Sequence, residues 1–204
     1  MCILYLQPLS KAYINLIKTT YILIVSSLCI LWINTPAFAR LEDKDQYSLD
    51  EIVQTGSNFF GSASGGLAKI VENAFENYGL PNGYILGREG TGSLILGVTY
   101  GEGTLNTRNA GQYNVFWQGP SLGLDVGGNG SRCMMLVYNL PNINSIYTRY
   151  GRAGVSAFIV AGLGMTVLRN KEITIVPIRT GLGLHLGISA GYLKISPTPT
   201  WNPF

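Results

Sequence analysis

The stretch Gly181-Leu182-Gly183-Leu184-His185-Leu186-Gly187-Ile188-Ser189-Ala190-Gly191-Tyr192-Leu193-Lys194 alternates throughout. Leu182, Leu184, Leu186, Ile188 and Ala190 fall on one face of an extended chain. Gly181, Gly183, His185, Gly187, Ser189 and Gly191 fall on the other. A period of two is the strand period. The same rhythm begins near Tyr84. Residues 94–100 read as a strand, Gly101-Glu102-Gly103 as a turn and 104–108 as the return. Asn109-Ala110-Gly111 turns again into Tyr113-Asn114-Val115-Phe116-Trp117. Residues 121–127 alternate, Asn129-Gly130 is a hairpin signal, and Arg132 to Tyr138 is the partner strand. Ile143 to Tyr150 fits a short helix, Val155 to Leu168 one long bent strand, and Glu172 to Ile178 a further alternating one.

Glycine weakens a strand, so glycine along one face of several strands needs a cause. It permits tight curvature and close approach of another element. A closed or nearly closed barrel needs both, and closure removes exposed edges. The small residues either line an interior that holds a helix or ligand, or mark sharply bent corners.

Two helices precede the strands. Ser48-Leu49-Asp50-Glu51 has the form of a capping box, opening a short helix with Leu49, Ile52 and Val53 on its apolar face. Gly56 to Gly66 reads as a loop. Leu67, Ile70, Val71, Ala74, Phe75 and Tyr78 recur at helical spacing, with Lys69, Glu72, Asn73 and Glu76 opposite them and Gly79 as a stop. A helix of this kind packs on a core. Its polar face holds more acid than base, which fits a membrane surface less well.

The first 39 residues read as an export signal. Lys11 and Lys18 precede an apolar run from Tyr21 to Ile33, and Ala37-Phe38-Ala39 has the small-x-small form of a cleavage site. The run is short for a membrane-spanning helix; an uncleaved anchor is the alternative. Cleavage after Ala39 leaves 165 residues and places the protein in the periplasm. Residues 40–46 form a flexible linker and 47–204 one domain. Cys2 and Cys29 leave with the signal, so Cys133 remains as a single thiol, best buried in an oxidising compartment. Its surroundings, Cys133-Met134-Met135-Leu136-Val137, suit a small core residue better than a nucleophile.

The composition narrows function. The chain has 204 residues, 47% hydrophobic and 12% charged, with 26 Gly, 3 Cys, 1 His and a net charge of +3. Too apolar for a disordered chain, it has no basic stripe for nucleic acid and too few ligands for structural zinc. No phosphate loop or dinucleotide fingerprint is present, and no cofactor is expected. Gly119-Pro120-Ser121-Leu122-Gly123 and Gly187-Ile188-Ser189-Ala190-Gly191 match the G-x-S-x-G elbow. The motif needs a strained strand-to-helix turn, whereas Ser121 and Ser189 sit in strand patterns. A serine hydrolase using His185 is therefore the least favoured reading, and the protein is expected not to be an enzyme. Tyr78, Tyr100 and Trp117 suit core or rim positions.

Asp125 stands out as an acid within a glycine-rich strand face, where a charge needs a partner. Arg132, across the hairpin, and Arg179, before the last strand, can supply one. Asp125 is then either part of a satisfied buried ion pair, an exposed hairpin charge, or a cavity-facing group that contacts a polar headgroup or glycan, with Arg132 and Arg179 beside it as ligand-binding candidates. The tail Pro197-Thr198-Pro199-Thr200-Trp201-Asn202-Pro203-Phe204 ends in Phe, as outer-membrane barrels do, yet its prolines cannot donate to a membrane strand ladder. It reads as an extended clasp with Trp201 and Phe204 as plugs. A small outer-membrane barrel or a surface scaffold remains the alternative.

Gly111-Gln112-Tyr113-Asn114-Val115-Phe116-Trp117-Gln118-Gly119-Pro120-Ser121 and Met134-Met135-Leu136-Val137-Tyr138-Asn139-Leu140 resemble the exported bacterial envelope integrity protein A family. So do Pro177-Ile178-Arg179-Thr180-Gly181, Gly191-Tyr192-Leu193-Lys194 and Trp201-Asn202-Pro203-Phe204. The resemblance spans about residues 47–204. It implies a soluble periplasmic β-barrel that maintains the Gram-negative cell envelope, with no known enzyme activity and no catalytic residues to carry over. Gly101-Glu102-Gly103-Thr104-Leu105, the following aromatic-Gln-Gly-Pro block, Gly-x-Asp-x-Gly and Gly181-Leu182-Gly183-Leu184 are faintly similar to SYLF lipid-binding domains, which implies a lipid ligand. The expectation is a mainly β protein: a small soluble antiparallel barrel of about 8–12 strands with N-terminal helices packed on it. It binds an envelope lipid or glycan, or a periplasmic protein partner.

Overall fold

The structure is a computed structural model that describes residues 45–92, 96–122, 130–153, 158–180, 188–189 and 191–200. The chain divides into two units, Met1–Leu41 and Glu42–Phe204. Residues 1–39, read above as an export signal, and Asp125, His185, Trp201 and Phe204 lie outside the described residues.

Helix α1 spans Leu49–Phe60 and α2 spans Leu67–Tyr78, with a 3-10 turn at Gly61–Ser64 between them. The strands are β1 (Gly83–Gly92), β2 (Leu96–Thr107), β3 (Gly111–Leu122), β4 (Ser131–Tyr138), β5 (Arg149–Arg152), β6 (Phe158–Val160), β7 (Leu163–Met165), β8 (Leu168–Asn170), β9 (Ile173–Thr180), β10 (Ile188–Ser189) and β11 (Tyr192–Ser196). Every pairing is antiparallel. The pairings run β1–β2–β3–β11–β5–β8–β9–β4 and return to β1, closing an eight-strand barrel. The expected barrel with helices packed on it is the observed fold.

Two layers of core follow from the strand alternation. Ile85, Leu105, Val115, Trp117, Met135, Val137, Tyr150, Ile175, Leu193 and Ile195 point inward and fill the barrel. Met134, Leu136, Tyr138, Val176 and Ile178 point outward and pack beneath Ile52, Phe60, Leu67, Ile70, Val71 and Ala74 of the helices. β4 and β9 are thus buried on both faces, so the run from Cys133 to Tyr138 is continuously apolar instead of alternating.

The capping box at Ser48 forms: Ser48 N donates to Glu51 Oε2 at 2.8 Å, and Glu51 N donates to Ser48 Oγ at 3.4 Å. Arg108, in the β2–β3 turn, pairs with Glu51, donates from Nε to Gln46 O at 2.7 Å and lies 4.7 Å from the Tyr47 ring centroid. The Ser48 backbone hydrogen bond, and then Arg108, hold the Glu51 carboxyl below the usual carboxylate range. A depressed folded-state pKa gives stability that is present above the unfolded pKa and lost as pH falls through the folded one. Wild type is therefore expected to lead Glu51→Gln in melting temperature at neutral pH, with the gap closing on acidification. The pair is half exposed, so the gap is small. Parallel thermal melts across pH check it, and a gap that widens in acid would contradict it.

Four local expectations change. Helix α1 runs through Gly56 to Phe60 instead of stopping at a loop. A Cβ at Gly56 would lie 2.6 Å from Leu67 Cδ2 and 3.0 Å from Met134 Sδ, so glycine serves close packing there. Gly101-Glu102-Gly103 is the middle of β2, not a turn. Ile143 to Tyr150 is a 3-10 turn at Ile143–Ile146 followed by β5. Residues 158–165 form the β6–β7 hairpin instead of one bent strand. Its two turn residues, Ala161 and Gly162, have φ of 44° and 94°, the positive pair that a two-residue hairpin needs.

Candidate functional site

The inward alternation of β1 continues from Ile85 and Gly87 to Glu89, a carboxylate inside the barrel. Its side chain is 5% exposed and that of Arg179 is 14% exposed. Arg179 Nε donates to Glu89 Oε1 at 2.5 Å, and Trp117 Nε1 donates to Glu89 Oε2 at 3.1 Å. Arg179 Nη1 donates to Thr166 Oγ1 at 3.4 Å, while Nη2 is buried without a hydrogen-bond partner among the described residues. Burial works against the guanidinium charge, but Glu89 more than offsets it and raises the Arg179 pKa.

Cys133 faces the same cluster across the β4–β9 pairing Cys133↔Arg179. Burial, and then the Glu89 charge, push its thiol well above the ordinary range. Little thiolate forms, so the group is inert. Iodoacetamide at pH 8 is expected to label Cys133 far more slowly in the folded protein than after unfolding, with the site read by peptide mapping. Equal rates would place the thiol at the surface.

Arg132 sits on the opposite face of β4. Its Nη1 donates to Phe59 O at 2.8 Å and Phe60 O at 3.0 Å, a guanidinium at the C-terminal carbonyls of α1. A cation there opposes the negative end of the helix dipole. The structure therefore does not bring Arg132 and Arg179 together: neighbouring strand positions of opposite parity put one under the helices and the other inside the barrel. The acid paired with Arg179 is Glu89, which the alternation of Tyr84-Ile85-Leu86-Gly87-Arg88-Glu89 could have placed inward. Ser121 and Ser189 are cross-strand neighbours in β3 and β10. Neither occupies the strand-to-helix turn of a nucleophile elbow.

A groove of about 380 Å³ crosses the outer face of β1, β2 and β3. Arg88, Tyr100, Glu102, Phe116 and Gln118 line it on the outward parity of their strands, and the inward-parity Glu89, Gly101 and Trp117 reach it from beneath. Ser196, Pro199 and Thr200 border it where the chain leaves β11. Gln118 Nε2 donates to Thr200 Oγ1 at 3.5 Å, which holds the described end of the tail against β3. Arg88 and Glu102 are cross-strand partners. Gly90, on the outward parity of β1, puts no side chain into the groove. A Cβ at Gly90 would meet nothing within 4 Å, whereas one at Gly101 would lie 2.1 Å from Trp117 Cε2 on the inward side. Tyr100 is thus a groove aromatic, and Trp117 a core one.

These features define a closed eight-strand antiparallel β-barrel whose helical layer covers β4, β9 and part of β1, with a groove across β1, β2 and β3. The chain belongs to the envelope integrity protein A family, whose pattern matches residues 45–204. It is also similar to the crystal structure of a beta-barrel-like, uncharacterized protein from Brucella abortus. The two are 59% identical, with a TM-score of 0.72, over 78% of this chain and 99% of that one. No curated protein matches the chain. The family ties the protein to the cell envelope. No helix among the described residues is long and apolar enough to cross a membrane.

Proposed function

We propose that this is a non-enzymatic periplasmic protein, exported by a signal cleaved after Ala39, that supports envelope integrity by binding an envelope component, lipid or glycan, or a partner protein. The observation that carries this reading is the outer groove beside a packed barrel. The apolar side chains that fill the described interior leave the groove as the place where a ligand can be held. The inert Cys133 thiol and the in-strand positions of Ser121 and Ser189 favour binding over catalysis. Arg132 and Arg179 serve as supports, one anchoring α1 and the other the barrel interior. Outward-facing Arg88, Glu102, Arg149, Arg169 and Lys194 favour a water-facing barrel over an outer-membrane one, because a membrane barrel presents an apolar belt there.

Gly90 offers a direct test. Gly90→Leu adds bulk to the groove at a position where a Cβ clashes with nothing. In a deletion strain, wild type is expected to restore resistance to detergent and cell-wall antibiotics, and Gly90→Leu, at equal abundance and equal melting temperature, is not. Full restoration by Gly90→Leu would rule the groove out.

A further inference from the structure

We infer that the groove takes a glycan chain. This rests on the groove being the binding site proposed above, and it names the ligand class. Tyr100 and Phe116 offer partly buried aromatic rings, whose electron-rich faces suit the C–H faces of a sugar. Around the rings stand three kinds of polar group: the Glu102 carboxylate accepts, the Arg88 guanidinium donates, and the Gln118 amide does both. Apolar faces ringed by hydroxyls are what a sugar presents to such a surface.

Charge and shape argue against the other classes. Arg88 is the one cation of the described lining and stands with the carboxylates Glu102 and Glu89, so the groove carries no excess of cation to select a phosphate headgroup. An acyl chain needs an enclosed apolar chamber, and the interior that would provide one is filled by Trp117, Leu105, Val115, Met135 and Ile195. The groove instead lies on the outer face of three long strands with exposed Arg88, Glu102 and Pro199 at its borders. A polymer longer than the groove can therefore cross it and run on into solvent.

The test is calorimetric titration of the exported protein with three probes. These are lipid-free O-polysaccharide, solubilised peptidoglycan glycan strands, and vesicles of phosphatidylethanolamine and phosphatidylglycerol. At least one glycan is expected to bind. Tyr100→Ala and Phe116→Ala, with folding verified by circular dichroism, are expected to weaken it about tenfold. Glu102→Gln, a substitution at an exposed position, is expected to weaken it several-fold with an unchanged melting temperature. Binding to vesicles alone, or to neither glycan, overturns the inference, as does glycan binding that Tyr100→Ala and Glu102→Gln leave intact. If the glycans fail while Gly90→Leu still loses envelope protection, the groove stands as the functional site and its ligand is a lipid or protein. If Gly90→Leu retains full protection, the groove reading itself has failed.

Discussion

Glu89→Ala is expected to cost about 3–5 kcal/mol, the range for removing one partner of a buried ion pair. At roughly 2–4 °C per kcal/mol for a domain of this size, melting should fall by about 10 °C. The loss has a definite origin. Arg179 stays buried with its charge and loses the carboxylate that its Nε contacts, and Trp117 Nε1 loses its acceptor at the same time. The pair itself is another matter, because desolvating two ions consumes most of their attraction. A Glu89→Met, Arg179→Met double variant should therefore recover most of what the single variant loses. Differential scanning calorimetry of wild type, Glu89→Met, Arg179→Met and the double variant closes the cycle. A Glu89→Ala melt within a degree or two of wild type would mean that water reaches Arg179 freely.

This ion pair shows how far the sequence could be read. Strand alternation is local, and the strands it predicts over Tyr113–Trp117 and Arg132–Tyr138 lie within β3 and β4. The capping box at Ser48 and the stop at Gly79 are also local, and both stand as read. Pairing partners are not local. The sequence offers Arg132, across a hairpin, and Arg179, before the last strand, as alternative partners of one acid, yet the two lie on opposite faces of the barrel wall. Glu89 comes to Arg179 only because β4 pairs with both β1 and β9. The groove was illegible for the same reason. Arg88, Tyr100, Phe116 and Ser196 come from four strands, and only cross-strand register makes them neighbours.

Glycine is the deeper ambiguity. Gly101-Glu102-Gly103 has the composition of a turn, and nothing within the segment says otherwise. What decides it is Trp117, sixteen positions from Gly101 along the chain, whose indole lies where Cβ atoms at Gly101 and Gly87 would stand. Glycine supports either a reversal of the chain or a close approach, and the choice belongs to the tertiary structure. Of the two roles open from sequence, interior lining and bent corner, Gly87 and Gly103 show the first. They face each other across β1 and β2, inside the barrel, where the strands press together beneath the tryptophan.

That arrangement predicts opposite signs for one chemical change. At Gly87 an added Cβ would lie 2.2 Å from Glu102 O, 2.8 Å from Gly103 Cα and 2.6 Å from Trp117 Cη2. Two of the three are backbone atoms held by the strand ladder, and the third belongs to a side chain buried to 1% exposure, so none can step aside cheaply. Gly87→Ala is expected to destabilise by about 1–3 kcal/mol, the usual cost of overpacking. Gly164→Ala places the same methyl where nothing lies within 4 Å, at a residue outside the left-handed region. There the reduced freedom of the unfolded chain should stabilise by about 0.4–1 kcal/mol. Urea unfolding with unchanged m-values separates the two as midpoint shifts in opposite directions. If Gly87→Ala were as harmless as Gly164→Ala, the inward glycines would owe their place to backbone curvature alone, and the bed beneath Trp117 would have no packing role.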